Sequence, residues 1–273
     1  MRLLHVSDLH CGTPSVPEQV AALERIVEGE PFDVIVLSGD LSQRTRAREF
    51  TRARDVIRHA ERFAPVFVIP GNHDVAWWTA PFGLGSYQAM FTRYRRYIAE
   101  DVEPVLHVEG ATLVALNSAH GIQPYTLTAR VRDLSVVGAI RREQWAHARE
   151  TFASAPSGDT RVLVIHHNLL RGRLSNRWGL ANRAGGVEAA GATGADLVLC
   201  GHDHEARIEQ VSAGGGRFVV STTNTLTDRV RGGAAAQFHA IEGDATSIAV
   251  TPWVWDAAAR TFTPAATPSR FSR

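Results

Sequence analysis

Hydrophobic residues fall into short runs along this chain, and each run ends in glycine or in polar side chains. Val, Ile and Leu dominate the runs, which is typical of strands buried on both faces in a sheet covered by helices. The runs predict strands at Leu3–Val6, Val34–Leu37, Val66–Ile69, Leu113–Leu116, Val162–Ile165 and Leu197–Leu199.

Segments with helical periodicity separate these strands. They predict helices at Glu18–Glu28, Arg46–Arg62, Tyr87–Ile98 and Glu143–Phe152. In the last segment Trp145, Ala148 and Phe152 recur at helical spacing, which is enough for one buried face. A Gly/Ala-rich stretch at 185–194 is expected to end a helix rather than to link two domains.

The final third of the chain is richer in strands. The runs Ala206–Val211, Arg217–Ser221, Gln237–Ile241 and Ser247–Trp255 lie between glycine-rich turns and predict an antiparallel portion. An α/β first half followed by strands predicts the fold class α/β (α+β), as a two-sheet β-sandwich flanked by helices. We expect one domain over 1–256 and a loosely held tail, rich in Thr, Pro and Ala, over 257–273.

Composition excludes several classes of protein. The 29 Lys and Arg against 28 Asp and Glu leave a net charge of +1, so stable binding to nucleic acid is not expected. No apolar run reaches the roughly 18 residues that span a bilayer, and no signal-peptide pattern is present. Cys11 and Cys200 form no disulfide framework and are expected to be small buried residues, not redox thiols. We therefore expect a cytoplasmic protein.

Side chains that bind metals collect at the ends of five predicted strands. The five ends are Ser7-Asp8-Leu9-His10, Ser38-Gly39-Asp40, Pro70-Gly71-Asn72-His73-Asp74, Ile165-His166-His167-Asn168 and Cys200-Gly201-His202-Asp203-His204. The space beyond the carboxyl ends of such strands is where α/β sheets bind ligands. On an extended segment Asp-x-His points both side chains the same way, as does His-x-His. The pattern predicts a ligand cluster at one edge.

The chemistry of this cluster favours two metal ions. Oxygen and imidazole ligands without thiolate suit Mn, Fe or Zn and disfavour a structural zinc cage. Seven ligands are too many for one ion, yet they fit two divalent ions that share a bridging carboxylate. Such a pair lowers the pKa of a bridging water to give hydroxide as nucleophile, and it stabilises the charge of a phosphoryl transition state.

In order, the motifs Asp-x-His, Gly-Asp, Gly-Asn-His-Asp, a strand-ending His and Gly-His-x-His resemble those of the calcineurin-like metallophosphoesterase superfamily. They extend from Asp8 to His204, about three quarters of the chain. The resemblance implies the αββα metallophosphoesterase fold and two divalent metal ions (Mn, Fe or Zn, with Mn favoured).

The same resemblance implies a role for each matched residue. Asp8, His10 and His204 would bind the first metal. Asn72, His166 and His202 would bind the second, with Asp40 as the bridge. His73 would contact the phosphate and act as general acid toward the leaving group. The choice of His166 over His167 rests on the resemblance alone, and Asn168 stands where the family often has proline.

Asp74 follows His73 and is a second catalytic candidate, since it could hold the His73 imidazole in the right orientation and tautomer. The alternative is a loop carboxylate satisfied by backbone donors. Arg44, Asn117 and His120 are candidates for substrate binding, although a solvated helix face and a polar loop explain them equally well.

An aromatic and basic insertion follows the catalytic candidates. It covers about 77–100 and contains Trp77, Trp78, Phe82, Tyr87, Phe91, Tyr94 and Tyr97. It could cap the active site and hold an aromatic base, an acyl chain or a membrane surface, so peripheral membrane contact stays open. The alternative is a helix packed on the core through its aromatic face.

The resemblance to small bacterial-type members implies a phosphodiesterase of the cyclic nucleotide or glycerophosphodiester group, acting on a small phosphate ester. The alternatives are a pyrophosphohydrolase of UDP-diacylglucosamine type, a phosphomonoesterase, and a non-catalytic scaffold with the same fold. The sequence leaves the oligomeric state open.

Overall fold

The computed structural model describes residues 1–84, 86–127 and 135–273. Helices are found at α1 (Pro17–Gly29), α2 (Ala47–Ala60), α3 (Thr92–Tyr97), α4 (Arg142–Ala153) and α5 (Ala184–Ala192). Strands are found at β1 (Arg2–Val6), β2 (Val34–Leu37), β3 (Val66–Val68), β4 (Val105–Val108), β5 (Ala111–Ala115), β6 (Thr160–Val164), β7 (Leu197–Cys200), β8 (Arg207–Ala213), β9 (Gly216–Thr222), β10 (Gln237–Gly243), β11 (Ser247–Asp256), β12 (Thr261–Pro264) and β13 (Ser269–Ser272).

The strands form two mixed sheets. The first sheet has the order β12-β11-β10-β1-β2-β3, with β13 paired to β11, and the second has the order β4-β5-β6-β7-β9-β8. In the first sheet β1, β2 and β3 are parallel neighbours, and in the second β5, β6 and β7 are parallel neighbours. The parallel strands therefore occupy one side of the first sheet, with β3 at its edge, and the centre of the second sheet, and antiparallel strands complete both sheets.

Alternating side chains of the strands separate three hydrophobic layers. Leu3 and Val36 face the other sheet and pack against residues such as Val162, whereas Leu4 and Ile35 face the helices that cover the first sheet. A third layer packs α4 and α5 against the outer face of the second sheet. Because each sheet is covered on both faces, the parallel strands are nearly continuous hydrophobic runs. The two-sheet sandwich flanked by helices is confirmed.

Two segments differ from their expected form. Residues 257–273 are not a loose tail, because β12 and β13 both pair with β11. Within the Gly/Ala-rich stretch the chain forms α5, so the stretch is most of a helix and not only its end.

The aromatic insertion folds as short 3₁₀ turns followed by α3. Phe91 and Tyr94 are completely buried in the layer between the first sheet and its helices, and Trp77 and Tyr87 pack against the same layer. The insertion thus packs on the core largely through its aromatic residues, although Trp78 and Phe82 remain exposed. Within the described residues no helix is long and apolar enough to cross a membrane. The expected cytoplasmic location stays a prediction.

Candidate metal centre

The carboxyl ends of β1, β2, β3, β6 and β7 meet at one end of the sandwich. Contacts between the two sheets show this directly. Nδ1 of His166, after β6, lies 2.9 Å from the carbonyl oxygen of Ser38, after β2. The backbone N–H of His202, after β7, donates to Oδ2 of Asp8, after β1, at 3.0 Å. The strand ends singled out in the sequence are therefore neighbours in space.

The backbone at these strand ends is not extended, which corrects the period-two argument from the sequence. Five of the seven predicted ligands have positive φ: Asp8 (56°), His10 (40°), Asp40 (54°), His202 (72°) and His204 (53°). This left-handed region costs about 1–2 kcal/mol per non-glycine residue, and such strain collects at functional sites. Tight turns, not strand alternation, aim these side chains inward.

Gly39 shows how closely the turns approach one another. Its φ is +99°, and a Cβ placed there would lie 2.7 Å from both the backbone nitrogen of Gly71 and Nδ1 of His166. Any side chain at this position would push the two sheets apart at the site.

One cluster contains Asp8, His10 and His204. Nε2 of His204 lies 3.2 Å from Oδ1 of Asp8, and Nε2 of His10 lies 3.6 Å from the same oxygen. The two imidazole Nε2 atoms are only 3.0 Å apart. These three side chains are grouped closely enough to hold one metal ion.

A second cluster contains Asp40, His166 and His202, with Asn72 beside them. Oδ1 of Asn72 lies 3.1 Å from Nε2 of His166 and 2.8 Å from Nδ1 of His202. Oδ1 of Asp40 lies 3.3 Å from Nε2 of His166, and its Oδ2 lies 3.7 Å from Nε2 of His10. Asp40 thus lies between the two clusters, where a bridging carboxylate would be.

His167 is turned away from this cluster. One of its ring nitrogens, Nδ1, lies 2.7 Å from the hydroxyl of Ser118, and the other, Nε2, lies 2.8 Å from the carbonyl oxygen of Val136. The structure therefore brings His166, and not its neighbour, to Asp40 and Asn72.

The donor set suits divalent cations. Oδ1 of Asp8 and Nδ1 of His10 are buried and have no hydrogen-bond partner. A buried carboxylate oxygen without a partner is costly, and a cation held against it would offset that cost. Two carboxylates, one amide oxygen and four imidazoles without thiolate fit Mn, Fe or Zn. We call the seven residues the candidate ligands, and their assignment to two ions stays a prediction.

Burial and the neighbouring charges shift the pKa values of several side chains in the cluster. Burial alone would raise the pKa of Asp40, but the imidazoles of His166 and His73 outweigh it and hold this pKa well below its usual range. Burial lowers the pKa of His202 to about 3, and the nearby His166 adds to the shift. Asp40 is therefore ionised and His202 neutral near pH 7, the protonation states that a metal requires of its ligands.

His73 is held beside the cluster by the turn that follows β2. Its Nδ1 lies 2.8 Å from the carbonyl oxygen of Gln43 and 3.4 Å from that residue's side-chain nitrogen. The shorter contact needs a proton on Nδ1, so Nε2 is the nitrogen free to exchange a proton with a substrate. His73 and His10 meet edge to face, with ring centroids 4.9 Å apart.

Asp74 does not orient the His73 imidazole, which corrects the catalytic expectation for this residue. Its Oδ2 accepts the backbone N–H groups of Leu41 (3.0 Å) and Gly71 (2.9 Å), and its Oδ1 accepts that of Ser42 (2.7 Å). The carboxylate thus fastens the turn after β3 to the turn after β2. Asp74 is therefore a loop carboxylate satisfied by backbone donors, which was the alternative offered by the sequence.

A cavity of about 640 Å³ opens onto the candidate ligands. Asp40, Asn72, His73, His202 and His204 line one part of it. The rest of the wall comes mainly from residues 168–183, between β6 and α5. Phosphate esters of moderate size would fit within it.

The three predicted substrate contacts lie outside the described wall of this cavity. Asn117 and His120 are each 1% exposed, and their side chains meet the hydroxyl of Tyr87 at 3.3 and 2.6 Å. Burial lowers the pKa of His120 to about 4. These two residues belong to a buried polar cluster, which corrects their assignment to the substrate. Arg44 is exposed, and its contact with a phosphate stays a prediction.

The two cysteines are inert neighbours of the site. Burial raises the pKa of Cys11 to about 12 and that of Cys200 to about 11, so little thiolate exists at neutral pH. Both thiols are free and buried. Their expected role as small core residues agrees with this environment.

The match to known families covers the region that carries the site. Residues 1–206 match the family described as calcineurin-like phosphoesterase. The chain belongs to this family. The match reaches just past His204 and therefore includes all the candidate ligands. The family depends on a binuclear metal centre.

Two solved structures illustrate the shared fold. A purple acid phosphatase, PPD1 from yellow lupin (Lupinus luteus), superposes with a TM-score of 0.68 at 12% identity, over 100% of this chain and 54% of that chain. This chain thus spans about half the length of the lupin protein. GAP50 of Plasmodium, the anchor in the inner membrane complex, gives 0.53 at 14% identity, over 93% of this chain and 84% of that one. Both likenesses show the fold alone.

Sequence reasoning missed several groups around the site. The carbonyl oxygens of Ser38 and Gln43 hold two of its imidazoles, and backbone groups carry no residue signature. His5 lies behind Ser38, with Nε2 at 2.9 Å from that residue's hydroxyl. The wall of residues 168–183 was also missed, although its arginines and Trp178, directly after a ligand-bearing strand, were a readable signal.

Proposed function

We propose that this member of the family is a phosphodiesterase that uses two divalent cations, with manganese favoured. Asp8, His10 and His204 hold one cation, and Asn72, His166 and His202 hold the other. Asp40 joins the two sets. The observation that carries the proposal is the convergence of these side chains, from both sheets, on one end of a cavity that also exposes His73.

When bound, the two cations supply positive charge to the phosphoryl group and lower the pKa of the water that attacks it. The chain's own contribution is position and proton transfer. The candidate ligands are almost completely buried where they come from β1, β2 and β6, so they form a rigid base for the reaction. Such preorganisation is where much of the rate enhancement of phosphoryl transfer arises.

His73 is the proton donor in this proposal. With Nδ1 directed at the carbonyl oxygen of Gln43, the protonated imidazole presents its second N–H, on Nε2, toward the cavity. That proton passes to the ester oxygen as the bond to phosphorus breaks, so an alcohol leaves rather than an alkoxide. Asp74 acts at a distance by fixing the turn that carries His73.

The shape of the cavity favours a diester over the alternatives. A diester carries a second substituent, and the wall beyond the candidate ligands provides a surface for it. The described wall contains no aromatic residue of the insertion, which weakens the case for the acyl chains of a UDP-diacylglucosamine. Retention of every candidate ligand together with His73 is contrary to a non-catalytic scaffold.

An assay of the metal-stripped protein, refilled with Mn²⁺, tests the proposal. Turnover of bis-p-nitrophenyl phosphate should exceed that of p-nitrophenyl phosphate and should disappear in His202→Ala. Turnover of cyclic nucleotides and of a lipid-linked UDP substrate then shows which class of ester the protein prefers. Preference for the monoester would favour the phosphomonoesterase, and no turnover of any ester by protein that contains both metals would favour the scaffold.

A further inference from the structure

Residues 168–183 form a loop between β6 and α5, and this loop is the largest part of the described cavity wall outside the metal centre. Arg171, Arg177, Trp178 and Arg183 all line the cavity from this one segment. Arg231, from a later turn, lines it as well. The same cavity contains Asp40 and Asn72, so the loop and the metal centre share one space.

The charge of this wall is unlike that of the protein as a whole. The chain has a net charge of only +1, yet the described residues of this one cavity wall include four arginines. Among the described wall residues the acids are Asp40, which belongs to the metal centre, and Asp203. Oδ1 of Asp203 lies 3.2 Å from Nε of Arg231, so this acid is already paired.

Two of the arginines are left without a carboxylate. Within the described parts of the chain, neither Arg171 nor Arg183 forms an ion pair, and both are exposed. A guanidinium group matches the oxygens of a phosphate with two parallel N–H donors. Both arginines line the same cavity as the candidate ligands, so their unpaired charge faces the space that a phosphate ester would occupy.

The loop is fixed at its start and at its middle. Nδ2 of Asn168 donates to the carbonyl oxygens of Leu170 (2.8 Å) and Arg177 (3.4 Å), which ties the start of the loop to its far side. The hydroxyl of Ser175 donates to Oδ2 of Asp203 at 2.6 Å. Asn168 thus stabilises the loop at the position where the family often has proline.

The anchor for the middle of the loop is the turn that carries two candidate ligands. The carboxylate of Glu205 accepts the backbone N–H groups of Arg173 (3.0 Å) and Leu174 (2.9 Å). A Cβ added at Gly172 would lie 2.0 Å from Oδ2 of Asp203, so only glycine allows this approach. Because Asp203 and Glu205 alternate with the ligands of that turn, the arginines are held at a fixed place relative to the metal centre.

We propose that the loop of residues 168–183 forms a second phosphate-binding site, so that preferred ligands carry a second phosphate besides the one at the metals. Arg171 and Arg183 are the main phosphate contacts, and Trp178 offers a flat face to a base or sugar between the two phosphates. This inference rests on the proposed function for the reaction at the metals, but the binding site itself is independent of catalysis.

A matched pair of substrates tests the site in the Mn²⁺-loaded protein. Thymidine 5′-(p-nitrophenyl phosphate) is compared with the same compound carrying a 3′-phosphate. The second phosphate should lower KM about tenfold, as expected for one charged hydrogen-bonded contact. The double variant Arg171→Gln with Arg183→Gln should abolish this advantage, so that the two substrates then have the same KM.

Binding to the Mn²⁺-loaded protein provides a measurement that needs no turnover. Calorimetry is carried out with thymidine 3′,5′-bisphosphate, thymidine 5′-diphosphate and thymidine 5′-monophosphate. At least one ligand with two phosphates should bind about tenfold more tightly than the monophosphate, and the double variant should lose that difference. Arg48→Gln, on the exposed face of α2, is the control and should bind like the parent protein.

The two proposals fail in different ways. If bis-p-nitrophenyl phosphate is not hydrolysed but the diphosphate ligands bind through Arg171 and Arg183, the proposed reaction is wrong and the second site stands. Equal affinity for ligands with one and two phosphates, or an advantage that survives the double variant, overturns the second site whatever the catalytic result.

Discussion

Nδ1 of His73 lies 2.8 Å from the main-chain carbonyl oxygen of Gln43. The backbone N–H of His73 also donates to Oδ1 of Asp40 at 2.8 Å. The turn after β2 thus holds His73 at two points: a carbonyl oxygen orients the imidazole, and a carboxylate of the metal centre holds the backbone. A side-chain substitution at Gln43 leaves the first contact in place, so His73 itself has to be changed to test the arrangement.

We expect His73→Ala to retain both metals and to lose turnover most on esters with poor leaving groups. A positioned general acid contributes about 10²–10⁴-fold, and an activated phenolate leaves without its help. The measurement compares thymidine 5′-phosphate methyl ester with the p-nitrophenyl ester, together with metal analysis of each protein. Equal losses on the two esters would count against proton donation by His73.

Asp74→Asn is expected to destabilise the protein and to leave the leaving-group dependence unchanged. An amide NH₂ would face one of the three backbone N–H groups that the carboxylate now accepts. The lost and opposed hydrogen bonds should cost about 3 kcal/mol in free energy of unfolding, measured by urea denaturation at a fixed Mn²⁺ concentration.

A catalytic role for Asp74 would give a different result for this variant. If Asp74→Asn unfolds like the parent protein but behaves like His73→Ala on the two esters, Asp74 does assist the imidazole. That result would restore the catalytic assignment which the hydrogen bonds of Asp74 now argue against.

Much of the fold was readable because hydrophobic runs report strands directly. The strand at Val34–Leu37 was predicted with the bounds that the structure gives it. The tail was misjudged because Thr, Pro and Ala suggest a loose segment, whereas β12 and β13 both fold back to pair with β11, the strand directly before them. Local composition carries little information about such pairing.

The sequence predicts the residues of the site better than it predicts their geometry. Strand ends with Asp, Asn and His gave the candidate ligands. The reason offered for their alignment was wrong, because Asp8 and His10 have left-handed backbones that no spacing rule anticipates. Asn117 and His120 follow a strand and looked accessible, but burial is a property of the packed whole.

Asp40→Asn should weaken the binding of both metals, since Asp40 lies between the two clusters. An amide lacks the charge that holds a shared cation, and its NH₂ group is not a ligand. We expect metal content after dialysis to fall below one ion per chain, whereas Asp55→Asn, on an exposed position of α2, should retain the parent content. Loss of a single ion from Asp40→Asn would place the bridge elsewhere.

Asp196 connects the two sheets at the edge away from the metals, and it offers a test of how firmly the last strand is held. Its Oδ2 accepts from Nε of Arg161 at 3.0 Å and from Nη2 of Arg273 at 2.9 Å. Burial would raise the pKa of Asp196, but hydrogen bonds from Arg161 outweigh it and lower this pKa. Because the pKa is lower in the folded state, the stabilisation is present above the unfolded value of about 3.9 and is lost as pH falls through the folded value.

We therefore expect Asp196→Asn to lower the free energy of unfolding by about 2 kcal/mol at pH 7. The difference from the parent protein should shrink as the pH is lowered below about 4, where the aspartate itself becomes protonated. A double-mutant cycle with Arg273→Ala isolates the contact between Asp196 and the last strand. A coupling energy of zero would mean that the contact between Asp196 and Arg273 does not help to hold β13, and a difference independent of pH would mean that the charge of Asp196 contributes nothing.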